Sequence, residues 1–258
     1  MYLILPLFAL IACQSVETSS QSASETPSTS QTQAISSLLP TQYIVVLTEN
    51  WDTPYGKMLR LTPSEAGDQY FQVGETIDVI IGKKGLGWGI GLADFTALEG
   101  PNKKEGDLKS PAGIFSLSQA FGYAPRDRSL KWAYTQVDST VMCIEDSESS
   151  YYNKIVKEGK TMADWNSTDH MLRDDDLYEW GVFVDHNGNQ QPGGGSCIFL
   201  HVWRKGGNGT AGCTSMDKGE MKKLVYWLDQ RYQTYLVQLP KDQYASFQKK
   251  YDLPSLPL

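Results

Sequence analysis

From residue 42 onward the chain alternates short β-branched or aromatic runs with glycine-rich turns, and this rhythm constrains the fold more than any other feature. The runs are "QYIVVLTEN" (42–50), "GKMLRLT" (56–62), "TIDVIIG" (76–82), "GIFSL" (113–117), "KWAYTQV" (131–137), "YEWGVFVDHN" (178–187) and "SCIFLHVW" (196–203). Each is short, rich in residues that suit a pleated half-buried surface, and bounded by turn formers, so each reads as a strand. Helical signals are few before residue 215; "ADWNSTDHMLRDDD" (163–176) holds at most one short helix. The clear helix follows Asp217. Met221, Leu224, Val225, Leu228 and Tyr232 fall on one face at helical spacing, and Asp217 with Glu220 forms a capping-box pattern. "KDQYASFQKKY" (241–251) reads as a closing helix. The expected fold is mainly β with a few helices, in one domain spanning residues 38–258.

Composition agrees with one sizeable core, since 40% of the 258 residues are hydrophobic and 11% aromatic. The net charge of -7 and the lack of a basic stripe argue against a nucleic-acid partner. The three histidines have no tight carboxylate spacing around them, so no metal set is expected, and "GKKGLGWGIGL" (82–92) matches no phosphate-binding loop. No cofactor is expected.

The N-terminus reads differently. "MYLILPLFALIAC" (1–13) is apolar but too short to span a bilayer, and fits the core of an export signal. Its Leu10-Ile11-Ala12-Cys13 ending resembles a bacterial lipoprotein box, which implies lipidation at Cys13 and a membrane anchor. No Lys or Arg precedes the run. Residues 14–37, Ser, Thr and Gln with almost nothing apolar, cannot offset their ordering entropy by burial and read as a disordered tether. Gln14 rather than Asp after the Cys implies, by likeness to known sorting rules, an exported protein on the periplasmic side of an outer membrane.

The chemistry concentrates in "CIFLHVWRKGGNGTAGCTSMD" (197–217), where His201 and Cys213 lie twelve residues apart. On a strand, Cys197, Phe199 and His201 share one face. An imidazole among large apolar residues is a costly place for an idle polar group. A His at a strand end facing a Cys on the next loop suits a base and nucleophile. Gly209 and Gly212 permit tight backbone geometry, and backbone amides near Gly212 and Cys213 are candidate oxyanion donors. The helix start downstream is one source of a lowered thiol pKa, the nearby His another. Spacing alone also fits a satisfied core histidine beside an inert thiol. His186, in "VDHNG" (184–188), is a second candidate base or a substrate-contacting or structural residue, and His170 sits in an acidic, solvated stretch. Cys143 and Cys197 are either a disulfide or two buried thiols, with a Cys197–Cys213 bond as a third arrangement.

This stretch resembles the YkuD-type L,D-transpeptidase domain of bacterial cell-wall enzymes. His201 matches that family's strand-end His, and Thr210, Gly212 and Cys213 match its Ser/Thr-His-Gly-Cys run. Upstream, "KKEGDLKSPAGIFSL" (103–117) resembles its Lys/Arg-x-Gly-Asp-x-x-Thr-Pro-x-Gly segment, with Ser110 in the Thr position. The likeness spans residues from about 75 to 240 and implies a β-sandwich or mixed-sheet catalytic domain. It implies Cys213 as nucleophile, His201 as base, peptidoglycan stem peptides as substrate and a thioester intermediate. Ala211 replaces the family's second His and Ser215 a frequent Arg, for which Arg204 is the candidate substitute. The implied activity is crosslinking. Hydrolysis by the same nucleophile, as a carboxypeptidase or endopeptidase, and a non-catalytic wall-binding lipoprotein stand as alternatives.

Overall fold

The computed structural model describes residues 39–204 and 206–256. The lipidation candidate Cys13 and the tether at 14–37 lie outside the described residues. Strands β1 (Thr41–Thr48) and β2 (Tyr55–Pro63) form an antiparallel pair. The short β3 (Tyr70–Gln72), β4 (Ile77–Ile80) and β5 (Leu86–Trp88) follow. The long β6 (Ser110–Gly122) crosses the molecule, and β7 (Tyr134–Gln136) runs parallel to its end. Three short strands, β8 (Val141–Ile144), β9 (Ile155–Lys157) and β10 (Thr168–His170), form a separate small sheet. The chain then returns through β11 (Trp180–Val184), β12 (Phe199–Val202), β13 (Thr214–Met216), helix α1 (Lys218–Trp227), β14 (Gln233–Pro240) and helix α2 (Lys241–Tyr251).

In the main sheet the order β1-β14-β6-β11-β12-β13-β4-β2 closes on itself, because β2 also pairs with β1. The sheet is mixed: β1 runs parallel to β14 and β12 parallel to β13, while β11 pairs antiparallel with both β6 and β12. Closure satisfies the backbone groups that an open edge strand leaves unpaired. Its core holds Ile44, Val46, Leu61, Phe115, Val182, Leu200 and Val237, and α1 adds Met221, Leu224 and Val225. Helix α2 stacks Phe247 on the Trp88 ring, with centroids 5.4 Å apart. A second cluster, Phe121, Phe183, Phe199, Cys197 and Cys213, lies on the other face of β12. Among the described residues, no helix is long and apolar enough to cross a membrane.

Two expectations need correction. Residues 163–176 hold no α-helix; they carry β10, and a 3-10 turn follows at Asp176–Tyr178. Asx contacts compete with the helix there. Asp146 takes the Asn166 amide at 2.7 Å, and Asp175 takes the Leu177 amide. Strand β6 is also much longer than "GIFSL", because Ser110–Ala112 pair with β5 and the polar Ser118 and Gln119 lie within the same ladder. Helix α1 starts as read, with the Asp217 side chain accepting from the Gly219 amide at 2.8 Å. It ends at Trp227, so Tyr232 belongs to the turn beyond.

Candidate active site

Strand pairing brings His201 and Cys213 together. In the parallel β12–β13 ladder His201 lies opposite Ser215, so Cys213, two residues earlier, faces the same side one step along. Leu200 and Val202 point the other way into the main core. The neighbour of His201 on β11 is Gly181, where a Cβ would come within 2.2 Å of the Phe121 ring. Tyr178 meets the imidazole edge-on, with ring centroids 5.4 Å apart. Both His201 (6% exposed) and Cys213 (9%) are buried. His201 Nδ1 lies 2.6 Å from the Val202 carbonyl. A carbonyl only accepts, so Nδ1 carries the proton and Nε2 keeps its lone pair. A backbone group of Leu177 also acts on the ring and, like the Val202 carbonyl, favours its charged form.

The loop entering Cys213 is clamped from three sides. Gly209 has φ +131° and passes so close to Lys83 that a Cβ would sit 2.3 Å from its Cα, a position only glycine fills. Thr210 exchanges backbone bonds with Lys83 (2.9 Å) and Ile81 (2.9 Å). The Ser110 hydroxyl reaches the Gly212 carbonyl at 2.6 Å and the Cys213 carbonyl at 3.1 Å. The "KKEGDLKSPAGIFSL" segment therefore holds the Cys213 turn directly, across about a hundred residues of chain. The Thr210 hydroxyl accepts from the Gly212 amide at 3.1 Å and donates to the Cys213 carbonyl at 2.5 Å. Thr210 is accordingly a loop brace, and the Gly212 amide is already engaged.

Burial makes the resting pair neutral. It pushes the Cys213 thiol up to about 12 and His201 down to about 4. The expected help from the helix N-terminus does not arrive, because β13 intervenes between Cys213 and α1. The thiol donates to the Cys197 carbonyl (3.5 Å) and its sulfur accepts the Phe199 amide (3.3 Å). That amide is the one group opposing the effect of burial most strongly.

Cys213 sits where two cavities meet. One, of about 390 Å³, is lined by His201, Tyr178, Arg173, Arg204 and Ser215. Arg204 Nη2 lies 2.7 Å from Asp175, which Arg173 also grips at 2.9 Å. The Arg173 guanidinium lies over the Tyr178 ring, 5.2 Å from its centroid. The other cavity, of about 340 Å³, is lined by Glu105, Glu145, Asp169, Lys103 and Gly212. Lys103 is committed to Asp107 at 2.7 Å. Glu105 receives hydroxyl protons from Tyr152 and Ser196, and Asp169 from Tyr178. Desolvation first, then repulsion from Asp169 and Glu105, pushes Glu145 up to about 7. Sequence reasoning missed Arg173, Tyr178, Glu145 and Asp169. The signal available for two of them was an acidic stretch with one Arg, which reads as a solvated surface.

His186 is not part of this constellation. It is 1% exposed, with Nε2 at 2.9 Å from the Gly194 carbonyl and Nδ1 accepting the Ile90 amide at 3.3 Å. Both ring nitrogens are spent on backbone, and it lines neither cavity at Cys213. It braces the 186–195 loop rather than contacting substrate. Cys143 and Cys197 form a disulfide, with Cα atoms 5.9 Å apart, and Cys213 is free. The bond staples the small β8–β10 sheet beside Cys213, where Asn153 donates to the His186 carbonyl (2.7 Å) and accepts the Cys197 amide (2.9 Å). That sheet and the segments flanking its strands supply Glu145, Ser167 and Asp169 to the acidic cavity. No group of three or more His, Cys, Asp or Glu among the described residues is arranged to hold a metal. No family model, curated protein or solved structure matches the chain.

Proposed function

We propose that this protein is a cysteine acyltransferase of the L,D-transpeptidase type, acting on peptidoglycan stem peptides with Cys213 as nucleophile and His201 as base. The observation that carries the reading is that β12 and the turn into β13 hold a free thiol and an imidazole protonated at Nδ1 in the wall of one cavity. The Ser110 clamp on the nucleophile turn supports it, because it gives the upstream motif a physical task in the same site.

The chemistry follows from the neutral resting pair. When substrate fills the cavity, the thiol turns from the Cys197 carbonyl toward His201 Nε2 and transfers its proton as sulfur attacks the peptide carbonyl. The Cys213 amide steadies the oxyanion. The imidazolium returns the proton to the departing amine, leaving a thioester. An acceptor amine then attacks the thioester carbonyl, its proton passing to His201 and on to the sulfur. An amine is an ammonium at neutral pH and cannot attack until it loses a proton. Glu145, held near neutrality in its own pKa, is placed to take that proton. Arg173 and Arg204 offer the opposite cavity positive charge for a carboxylate on the donor.

The experiment is mass spectrometry of muropeptides incubated with the protein, beside Cys213→Ala. A crosslinked product that needs Cys213 supports transpeptidation. Cys213-dependent loss of mass without crosslinks replaces it with hydrolysis. No Cys213-dependent change overturns the enzymatic reading and leaves the wall-binding one.

A further inference from the structure

A third cavity, of about 600 Å³, is lined by Tyr55, Trp203, Ile80, Gly207 and the charged groups Glu49, Lys57, Asp78 and Lys241. It is not isolated. Ile80, Trp203 and Gly207 also line the His201 cavity, so the two share a wall along the loop that follows β12. Register fixes this contiguity: Ile80 on β4 pairs with Tyr55 on β2 and with Ser215 on β13. The Trp203 backbone is tied to Met216 at 2.8 Å, two residues beyond the base.

Two properties define what this cavity takes. Tyr55 is 55% exposed, one of few large hydrophobic side chains so open among the described residues, and Trp203 is only partly covered. Flat amphipathic rings standing half in water suit a ligand with one apolar face and polar edges. The four charges cancel as two ion pairs, Lys57–Asp78 and Lys241–Glu49. The rim thus presents donors and acceptors with no net charge. It suits hydroxyl and acetamido groups, and gives no preference to a phosphate, a carboxylate or an ammonium.

We infer that this cavity is a glycan subsite, holding an uncharged N-acetylated sugar residue against Tyr55 and Trp203. The peptide attached to that strand would then run through the shared wall to Cys213. The identity of the strand as peptidoglycan rests on the proposed function; the sugar site itself does not depend on the thiol reacting.

The test uses the full chain carrying Cys213→Ala and a tetramer of N-acetylglucosamine, free of peptide, as the probe. Titration followed by NMR should show a saturable shift of the Trp203 indole signal, identified by its loss in Trp203→Phe. Tyr55→Ala should weaken binding about tenfold, while Tyr55→Phe, which keeps the ring, stays within about twofold. An exposed position makes misfolding of these variants easy to detect by circular dichroism. No saturable indole shift, or equal affinity in Tyr55→Ala with an unchanged spectrum, overturns the subsite. Failure of the catalytic reading shows up separately, as no Cys213-dependent muropeptide product, and leaves sugar binding intact.

Discussion

The two cavities that meet at Cys213 are nearly equal in size and differ in the charged groups that line them, with the Arg173–Asp169 ion pair (3.5 Å) joining one to the other. At about 390 Å³, the His201 side carries two guanidiniums that share Asp175. At about 340 Å³, the other side carries three carboxylates, and its Lys103 is already paired. A hydrolase needs one cavity for its acyl donor and admits water from anywhere. Under the proposed function, a thiol with guanidiniums on one side and carboxylates on the other would suit two organic reactants of different charge. That difference is why acyl transfer, rather than hydrolysis, is the activity proposed.

The largest effect tests what both sides share. His201→Ala should slow thioester formation by roughly 10²–10⁴-fold, read as the rate of a single-turnover acyl-enzyme signal in the mass spectrum. Of Cys143, Cys197 and Cys213, only Cys213 should take an iodoacetamide label, since the other two are bonded to each other. The next test removes the acidic wall. Reducing the disulfide frees a loop of 54 residues, and should lower unfolding stability by about 4 kcal/mol in urea titrations. It should also cost crosslinking more than hydrolysis, because the stapled sheet supplies Glu145 and Asp169.

A finer test is Glu145→Gln, which should cut crosslinking about tenfold and leave thioester hydrolysis within about twofold. Equal losses in both would erase the distinction between the cavities. Arg204→Ala on the other side should change donor KM only about twofold, since its side chain is 70% exposed and its ion pair is solvated.

The buried histidines and Glu145 respond to pH in opposite senses. His201 and His186 both have folded pKa values near 4, below the unfolded value of about 6.5. Between those values the unfolded chain binds more protons, so stability is lost as pH falls from about 6.5 to 4. Each histidine contributes on the order of 3 kcal/mol to that loss. Glu145 acts in the reverse sense. Its folded pKa is raised, so its contribution to stability falls as pH rises toward about 7. Glu145→Gln should therefore raise the melting temperature by on the order of 2 °C at pH 8 and by nothing at pH 4, measured by calorimetry.

Much of this was legible in sequence. Alternating apolar runs marked seven of the strands, because a half-buried strand must alternate or saturate with β-branched residues. Asp217 marked α1, since a side chain that caps a helix end is local chemistry. His201 and Cys213 were legible as a pair, and Ser110 as part of a motif. What was not legible is tertiary. No local rule reports that β10 would form where a helix seemed possible. Nor does the sequence show that His186 spends both nitrogens on backbone, or that Arg173 reaches the Tyr178 ring. The thiol pKa moved opposite to the expected direction for the same reason: proximity of a helix start in sequence says nothing about the strand that separates them in space.

Closure of the main sheet has a consequence for how the molecule comes into being. Strand β1 is zipped along all eight of its residues to β14, from Thr41–Gln233 to Thr48–Pro240. The partner of β1 is therefore made 192 residues after it. The ring cannot be completed until β14 has left the ribosome, and pairing across so much intervening chain is slow even afterwards. Until then β1 and the strands between them share an open sheet whose edge groups are still unpaired.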